Sequence, residues 1–384
     1  MKSVDGMPAP AAGLPTEAYA VALAALPAMG PSRLLALLRR LAPAAAWAQV
    51  LAGRGSADAA LAASWRAAAT RLAPSELWDR CRAAGIGVSL LGSASYPAVL
   101  AADPVPPAVV FIRGDPAAVD GPRVAVVGTR RCSRYGRDVA ARLARDLADA
   151  GVRVVSGLAL GIDGAAHAGA LAAGSAPPIG VVGSGLDVVY PRRHAGLWDD
   201  VARAGLLLSE APPGARPEPW RFPARNRLLA ALADVVVVVE SHAAGGSMLT
   251  VNEAVARDRP VMAVPGPVVS PASAGTNDLL ASGAHVARDA GDVLALLGME
   301  PGGRRARDES RPPPSASDAT VLDALGWQPA TTDEVATAAG VDLATAAVAL
   351  ERLTAAGWVA STGGWWERVA GGGRAGEGSR RRDT

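Results

Sequence analysis

The chain contains almost no lysine, since Lys2 is the single one among 384 residues. A Walker-type phosphate loop depends on a lysine, so this class of nucleotide-binding site is excluded. The two cysteines, Cys81 and Cys132, are too few and too far apart for a disulfide framework or a zinc site, and the four histidines are isolated from one another. We therefore expect no metal ion at the functional site.

Other signatures of catalysis are also missing. The sequence Gly183-Ser184-Gly185 lacks the third glycine of a dinucleotide-binding fingerprint. No serine lies in the Gly-x-Ser-x-Gly frame of a hydrolase nucleophile. The sequence therefore favours a binding protein without a cofactor over an enzyme.

Charge and long apolar runs are sparse as well. Only 19% of the residues are charged and the net charge is +2, so any attraction to nucleic acid must come from local clusters. No apolar stretch reaches the roughly 20 residues needed to cross a bilayer, and the residues after Met1 lack the form of a signal peptide. Because 50% of the residues are hydrophobic, a sizeable core in two or three domains is possible. We expect a globular cytoplasmic protein without a membrane partner.

What the chain does have is a series of five short apolar segments, each running into a corner of small residues. Each apolar run is nearly continuous, which is typical of strands buried on both faces of a parallel sheet. Helix-like stretches lie between them, so the sequence predicts a doubly wound α/β sheet. The segments are residues 124–130, 152–163, 179–187, 235–247 and 260–266, and the helix-like stretches include 136–150, 164–173 and 226–233.

The corners after such strands gather at the carboxyl edge of the sheet, where ligands bind. Glycine and serine there expose backbone N–H groups beside helix N-termini, which favours a bound anion, although small residues also simply allow close packing. Three groups of arginines flank these corners, which indicates a surface for several phosphates. They are Arg130, Arg131, Arg134 and Arg137; Arg192 and Arg193; and Arg221, Arg225 and Arg227.

Composition divides the chain into six parts. Residues 1–15 and 371–384 are expected to be disordered, and residues 300–316 form a charged, Pro-ended linker. Residues 16–72 predict a helical domain of the SAM or helix-hairpin-helix type, although an ordinary helical hairpin is the preferred explanation of residues 26–41. Residues 73–299 hold the sheet, and residues 317–370 form the last folded unit.

The last unit has the pattern of three helices followed by a Gly-hinged hairpin, which is typical of a winged helix. The predicted helices are 319–325, Thr332–Ala339 and 343–356, with Thr331 and Glu334 as a capping box. Between Ser317 and Val369 seven acidic residues stand against two arginines, a net charge of −5. Because this charge repels DNA, we expect the unit to contact protein.

A series of motifs in fixed order resembles the DNA-processing protein A family, also called DprA or Smf. The resemblance extends from about Ser95, where SYPAVL begins, to Val293, and this many ordered matches are far more specific than a single motif. The motifs are GTRRCSRYG (128–136), SGLALGIDGAAH (156–167), GSGLDVVYP (183–191), LLSEAPPG (207–214), FPARNRLLAAL (222–232), GGSMLTVNEA (245–254), VPG (264–266) and GTNDLLASGA (275–284).

The resemblance implies an extended Rossmann-like domain that binds and protects incoming single-stranded DNA. It also implies that the protein helps to load the recombinase RecA onto this strand during natural transformation, and that no chemistry is performed on the strand. A homodimer formed through the Rossmann-like domain is a further expectation.

The same resemblance implies a site for DNA phosphates at the corners. Arg130 and Arg225 would hold phosphate oxygens, hydroxyl and backbone N–H groups would cap others, and Asn226 would reach a base or order an arginine. The predicted site residues are Gly128, Thr129, Arg130 and Ser133; Ser156, Gly157 and Gly161; Gly183 and Ser184; Arg225 and Asn226, beside the fourth corner; and Gly245, Gly246 and Ser247.

Neighbouring residues have expected supporting roles. Asp163 and Glu210 would orient arginines rather than touch an anionic ligand. Two departures from the family pattern bear on affinity: Gly245 stands where a serine is usual, and residues 175–178 (SAPP) stand where many members carry a basic residue. The candidates for base stacking are Tyr135, Tyr190, Trp220 and Phe222.

Two other functions stay open at this point. Phosphoribohydrolases of nucleoside monophosphates share a Rossmann-like core and use a Gly-rich loop followed by Thr and Glu. Gly246, Thr250 and Glu253 match that spacing faintly. The proline and the paired later glycine of that loop are absent from this sequence. The other hypothesis is a pure scaffold that binds partners through its acidic winged helix, with a vestigial pocket at the corners.

Overall fold

The computed structural model describes residues 13–299, 311–326 and 328–369. The predicted disordered segments 1–15 and 371–384 and the predicted linker 300–316 lie outside the described residues, apart from 13–15 and 311–316. The described residues form an α/β sheet domain preceded by a helical region, and a small unit of three helices with a two-stranded hairpin.

The strands of the central sheet are β1 (Gly87–Leu90), β2 (Val109–Gly114), β3 (Arg123–Val127), β4 (Arg153–Ser156), β5 (Ile179–Val181), β6 (Leu206–Ser209), β7 (Val235–Val238), β8 (Val261–Ala263) and β9 (His285–Val286). Their order across the sheet is β1-β2-β6-β5-β4-β3-β7-β8-β9. Neighbours from β6 to β9 pair in parallel, whereas β2 pairs antiparallel with both β1 and β6. The predicted doubly wound sheet is confirmed, with an antiparallel pair added at one edge.

Each of the five predicted apolar segments contains a strand, namely β3, β4, β5, β7 and β8. The sequence prediction did not include β6, which separates β5 from β2 in the sheet. β6 is a run of only four residues that leads directly into a Glu-Ala-Pro-Pro turn, so its strand signal is short. Pairing with β5 and β2 stabilises it, and this information is not local.

The helices of the helical region are α1 (Thr16–Ala24), α2 (Pro31–Leu38), α3 (Pro43–Leu51), α4 (Ala59–Ala69) and α5 (Pro74–Ala83). Those of the sheet domain are α6 (Ala98–Ala101), α7 (Arg134–Asp149), α8 (Ile162–Ala173), α9 (Ala195–Ala204), α10 (Arg221–Leu232), α11 (Ser247–Val255), α12 (Ala274–Ala281) and α13 (Ala290–Leu296). Among the residues that the structure describes, no single helix is both long and apolar enough to span a bilayer, and α2 and α3, which pass that test only together, are bent by 107°.

Two layers of helices cover the sheet. α7, α8 and α13 pack on one face, and α6, α10 and α11 pack on the other. α7 and α8 approach closely because Gly169 faces the α7 backbone, where a β-carbon would overlap the carbonyl oxygen of Ala141. α7 presents Val139, Leu143 and Leu147 to the sheet at helical spacing, which explains its position.

The helical region shares its core with one edge of the sheet domain. Buried residues of α1, α3 and α4 lie in the same cluster as Val109 and Phe111 of β2 and Trp198 of α9. α5 packs on α1, although it follows the predicted domain boundary at residue 72. The Trp65 indole donates to the Pro27 carbonyl at 2.9 Å and ties α4 to the turn before α2. The predicted boundary at residue 72 stays a prediction, and the helical region packs against the sheet domain.

The last unit has α14 (Ala316–Leu325), α15 (Thr332–Ala339), α16 (Leu343–Ala355), β10 (Val359–Thr362) and β11 (Trp365–Arg368). Both hydrogen bonds of the predicted capping box between Thr331 and Glu334 are present. β10 and β11 pair antiparallel as a wing, and Leu350 and Trp366 lie in the core between the helices and the wing. The winged-helix prediction is confirmed.

A buried histidine lies on α8. His167 is 0% exposed. Burial lowers its pKa from 6.5 to about 4, the backbone of Ser156 opposes this, and His194 and Arg225 add to the lowering. His167 is therefore neutral in the folded protein over a pH range in which the unfolded chain carries the proton.

Stability should fall as the pH decreases from 6.5 towards 4, because the unfolded state binds a proton that folded His167 does not. The expected loss at pH 4 is about 3 kcal/mol of unfolding free energy. Urea unfolding followed by circular dichroism at several pH values measures it. His167→Gln is the control, since it cannot titrate and should lose less stability over the same range. An equal loss in both proteins would show that His167 is not responsible.

Candidate nucleic-acid interface

The chain changes direction across the sheet at β3. From β3 it proceeds outward to β4, β5 and β6 on one side, and then returns to β7 on the other side. α7, which follows β3, and α11, which follows β7, therefore pack on opposite faces. Ligand sites of open α/β sheets lie at such switch points, beside the carboxyl ends of the strands.

We define the rim as the four corners at this edge together with the start of α10. The first corner is residues 128–133, the second 157–161, the third 182–187 and the fourth 240–246, and the start of α10 is residues 220–226. α7, α8 and α11 begin at the first, second and fourth corners. Their N-termini direct backbone N–H groups and a partial positive charge to the rim.

Glu240 fixes the first corner to the fourth. The Thr129 N–H donates to the backbone carbonyl of Glu240 at 2.8 Å. The Glu240 carboxylate accepts the Ser133 N–H at 2.9 Å and the Ser133 hydroxyl at 2.5 Å, and Ser133 also caps the first turn of α7. Arg130 and Arg131 are thus held between two anchored residues, and both are exposed.

The second corner packs directly on the first. Gly161 has a φ of +80°, and a β-carbon there would overlap the Thr129 carbonyl oxygen and approach the Arg130 backbone. The Ile162 N–H donates to the Thr129 carbonyl at 3.3 Å. Only glycine fits at position 161, and this brings the N-terminus of α8 next to Arg130.

Arg225 is a buried guanidinium inside the rim, with 6% of the residue exposed. Its Nη1 donates to the Val181 carbonyl, at the end of β5, over 3.0 Å. The same group occupies the space that a β-carbon of Gly157 would need, which explains the glycine in the second corner. Its Nε is buried and has no hydrogen-bond partner within the described residues. Because this Nε is closed to solvent, Arg225 contributes positive charge beside the helix N-termini rather than an accessible donor.

Asp163 is the acidic neighbour of both arginines. It lies in the first turn of α8, is 6% exposed, and accepts the Gly157 N–H at 3.1 Å. Burial raises its pKa, and Arg225, the N–H groups of Ala159 and Gly157, and Arg130 oppose the rise. Burial lowers the pKa of Arg225, which Asp163 opposes and Arg130 reinforces. Asp163 therefore acts electrostatically on both guanidinium groups, and the two positive charges at the junction of the corners favour an anionic ligand.

Aromatic rings stand next to this charge. The Arg130 Cζ lies 4.8 Å from the centroid of the Phe222 ring, and the Phe222 ring lies 5.7 Å from that of Tyr190. Tyr190 is 42% exposed. Tyr135, another residue expected to stack bases, instead packs against the core beside α7. A guanidinium and two rings in a row offer a phosphate contact beside flat apolar faces.

Two predicted hydroxyls lie beneath the corners. Ser156 is 0% exposed and donates to the Val126 carbonyl at 2.6 Å. Ser184 is 2% exposed and donates to the Val188 carbonyl at 2.7 Å. This corrects the expectation that these hydroxyls contact phosphate, because each one is buried and tied to a backbone carbonyl. They hold the corners in shape instead.

The fourth corner places Asn226 beside the glycine pair. Its Nδ2 donates to the Gly246 carbonyl at 3.5 Å. Ser247 begins α11 and donates to the Ser241 hydroxyl at 2.8 Å. A β-carbon at Gly245 would meet the Ser241 hydroxyl, so Ser241 fills the space left by the serine that Gly245 replaces. Nothing lies within 4 Å of the missing β-carbon of Gly246, which leaves its backbone accessible.

The remaining positions differ in where they lie relative to the rim. Gly183 lies at the rim, where a β-carbon would be 3.3 Å from the Arg221 carbonyl. A β-carbon at Gly128 would be 2.6 Å from Ile162 and 2.8 Å from the Glu240 carbonyl, so this glycine serves close packing. Residues 175–178 precede β5 and lie at the amino edge of the sheet, opposite the rim. Their departure from the family pattern is therefore remote from the site.

Sequence reasoning missed Glu240 and misplaced Arg225. α10 begins at Arg221 rather than at residue 226, so Arg225 reaches the second and third corners instead of the fourth. The available signal for Glu240 was an acid directly after a run of five valines.

Glu210 forms an ion pair with Arg227, as expected. Burial raises the pKa of Glu210 to about 7, although Arg227 opposes the rise.

Two family models match the chain. One, described as DNA recombination-mediator protein A, matches residues 88–298, and the other, described as the DprA winged helix domain, matches residues 305–364. A putative DNA processing protein DprA of Mycobacterium tuberculosis is 43% identical over 279 residues, which are 70% of this chain and 71% of the relative. Protein Smf of Escherichia coli is 34% identical over 284 residues, 71% of this chain and 75% of the relative.

Solved structures agree with these matches. The X-ray structure of DprA from Streptococcus pneumoniae has a TM-score of 0.62 at 30% identity and covers 73% of this chain and 96% of its own. A DprA structure from Helicobacter pylori, described as giving insight into a unique single-stranded DNA binding mode, has a TM-score of 0.50 at 32% identity and covers 56% and 97%. With one family model matching more than half of its length and relatives aligned over most of it, the chain belongs to the DNA processing protein A (DprA/Smf) family.

Proposed function

We propose that the rim binds single-stranded DNA through its phosphates, and that the protein thereby protects incoming strands and promotes RecA loading. The observation that carries this proposal is the meeting of exposed Arg130 and buried Arg225 where the first and second corners pack together. Their positive charge lies beside the N-termini of α7 and α8, where N–H groups can cap further phosphate oxygens. Family membership and the DNA binding mode of the Helicobacter pylori relative support this choice of ligand.

Three features favour a single strand without sequence preference. Phe222 and Tyr190 offer ring faces, and every unpaired base can stack on a ring. Backbone N–H groups and arginines contact phosphates, which carry no sequence information. Asn226, the side chain best suited to a base edge, is turned towards the Gly246 carbonyl. Binding should therefore be sensitive to salt and tolerant of sequence.

Arg130→Ala should weaken the binding of oligo-dT and reduce the slope of log affinity against log salt by about 1, because one phosphate contact is lost. Fluorescence anisotropy at several salt concentrations, with oligo-dT and with a duplex of equal length, measures both effects. We expect the wild type to prefer the single strand.

Arg203→Ala is the matched control for this measurement. Arg203 is an exposed arginine of α9 that pairs with Asp200 and precedes β6, at the edge opposite the rim. Its removal changes the net charge equally but should leave binding unaltered. Equal wild-type affinity for both DNAs, or equal behaviour of the two variants, would contradict the proposed site.

The enzyme hypothesis has less support from the contacts of α11. Thr250 is 2% exposed. The Glu253 carboxylate accepts from Arg257 Nη1 at 2.5 Å, and Arg257 Nε donates to Asp103 at 2.6 Å. A carboxylate bound in this way is engaged in an ion-pair network rather than presented to a substrate at the rim. These contacts support a binding role over a phosphoribohydrolase.

Incubation with purine and pyrimidine nucleoside monophosphates should therefore release no free base above the level seen without protein. Chromatographic separation of bases from nucleotides measures this. A protein-dependent release that is lost in Glu253→Gln would favour the phosphoribohydrolase hypothesis instead.

The winged helix offers a surface suited to protein. Leu343 and Val348 of α16 are 54% and 53% exposed, and Trp365 of the wing is 47% exposed. Glu351 and Arg352 of α16 are both exposed, and Arg352 is paired with Asp318. An apolar surface on a unit with a net charge of −5 repels phosphates and is suited to a protein partner. A protein contact through the winged helix is thus compatible with DNA binding at the rim, whereas a pure scaffold with a vestigial pocket is not, and RecA is the partner implied by the family.

The protein should accelerate the DNA-dependent ATP hydrolysis of RecA on single strands that are already covered by single-strand binding protein. Arg130→Ala should lose most of this acceleration, because its contact with the strand is weakened. Release of inorganic phosphate measures the rate. Intact binding of oligo-dT without any acceleration would refute the RecA part of the proposal alone.

We also propose a cytoplasmic homodimer formed through the sheet domain. β9 is the last strand of the sheet, both of its residues are exposed, and its outer edge pairs with no other strand of the described residues. An unpaired edge strand readily joins a second chain. Static light scattering, which gives the mass in solution, tests the dimer.

A further inference from the structure

The rim continues into a cleft next to the helical region. One wall of the cleft comes from the turn after α1 and from α2, with Met29 and Leu34, and the other comes from the start of α10, with Trp220 and Arg221. Gly183 of the third corner lies between the two walls. Because Arg225 also lines it, the cleft extends the phosphate-binding rim.

The two walls differ in chemistry. Met29 and Leu34 are 8% and 6% exposed and form an aliphatic wall. On the other side, Trp220 is 45% exposed, and the Arg221 Cζ lies 4.4 Å from the centroid of its ring. Glu218 accepts the Trp220 Nε1–H at 2.5 Å and lies 3.5 Å from the Arg221 Nε. The orientation of the indole and of the guanidinium is therefore set before a ligand arrives.

An unpaired nucleobase matches this combination of groups. A base has two flat apolar faces that stack on an indole, and it is attached to a phosphate that needs a cation. Trp220 supplies the ring, Met29 and Leu34 exclude water, and Arg221 and Arg225 lie on the side of the rim where the phosphates are proposed to bind. The interior of the cleft measures about 30 Å³, close to the volume of one water molecule. The base therefore stacks on the exposed part of the indole and only its edge enters the cleft.

We propose that Trp220 stacks an unpaired base of the bound strand at the mouth of the cleft, and that the helical region forms the second wall of the DNA site. The inference rests on the proposed function, since it requires a strand on the rim. The inference adds to the proposed function a contact with a base, made by Trp220 outside the four corners, and it gives the helical region a role in DNA binding.

The test compares two strands of equal length, oligo-dT and an oligonucleotide with abasic sites throughout. Both carry the same phosphates, but only the first can stack. Trp220→Ala should lower the affinity for oligo-dT about tenfold, the effect expected for one base–aromatic stack, and should leave the affinity for the abasic strand unchanged. Trp220→Phe should restore most of the affinity, and Met29→Ala should lower the affinity for oligo-dT only.

Two controls separate this inference from the proposed function. Val255→Ala removes an apolar side chain, 63% exposed, at the end of α11 that lies away from the rim, and should change neither affinity. Arg130→Ala should lower both affinities, because it removes a phosphate contact. If Trp220→Ala lowers both affinities equally, or neither, the stacking proposal is wrong while the rim proposal stands. If the wild type binds neither strand, both proposals fail.

Discussion

The burial of the Arg225 guanidinium among the corners is the constraint on which the rim depends. This group fills the space above Gly157 and donates to the Val181 carbonyl, so the fold gives it no alternative place. Asp163 on α8 stabilises its charge, whereas Arg130 opposes it. A buried cation beside exposed Arg130 and the N-termini of α7 and α8 places positive charge at the carboxyl edge of the sheet. In the proposed function, the position of this charge, rather than the net charge of +2, attracts a polyanion.

The small residues of the corners make this arrangement sterically feasible. Gly157 leaves room for a side chain from α10, and Gly161 lets the second corner lie against the carbonyl of Thr129. These glycines bring side chains and helix N-termini from different strands into one place, which no single segment could do. The aromatic rings then occupy the outer side of the charge, with Phe222 beneath Arg130. An arginine and two ring faces therefore lie next to one another along the rim.

Most of the fold could be predicted from the sequence, because its strongest signals are local. Near-continuous apolar runs located five parallel strands, and the pair Thr331 and Glu334 marked the start of α15 correctly. β6 was not predicted, because its four residues are stabilised as a strand by pairing with β2 and β5, which the local sequence does not show. At the site, sequence motifs found the corners but not the direction of their side chains. Ser156 and Ser184 turn inwards to backbone carbonyls, and an earlier start of α10 moves Arg225 to other corners. Such orientations follow from tertiary packing, which a single sequence does not display.

Glu240 is attached to the first corner through both its backbone and its side chain, and this lowers the entropy cost of binding a ligand there. Its carbonyl holds Thr129 and its carboxylate holds Ser133, so the intervening loop is ordered in the absence of any ligand. The conformational entropy of that loop is lost when the chain folds and not when a strand arrives. In the proposed function, preorganisation of this kind leaves more of the interaction energy available as affinity, so Glu240, which is 4% exposed, would contribute to binding without a contact to the ligand.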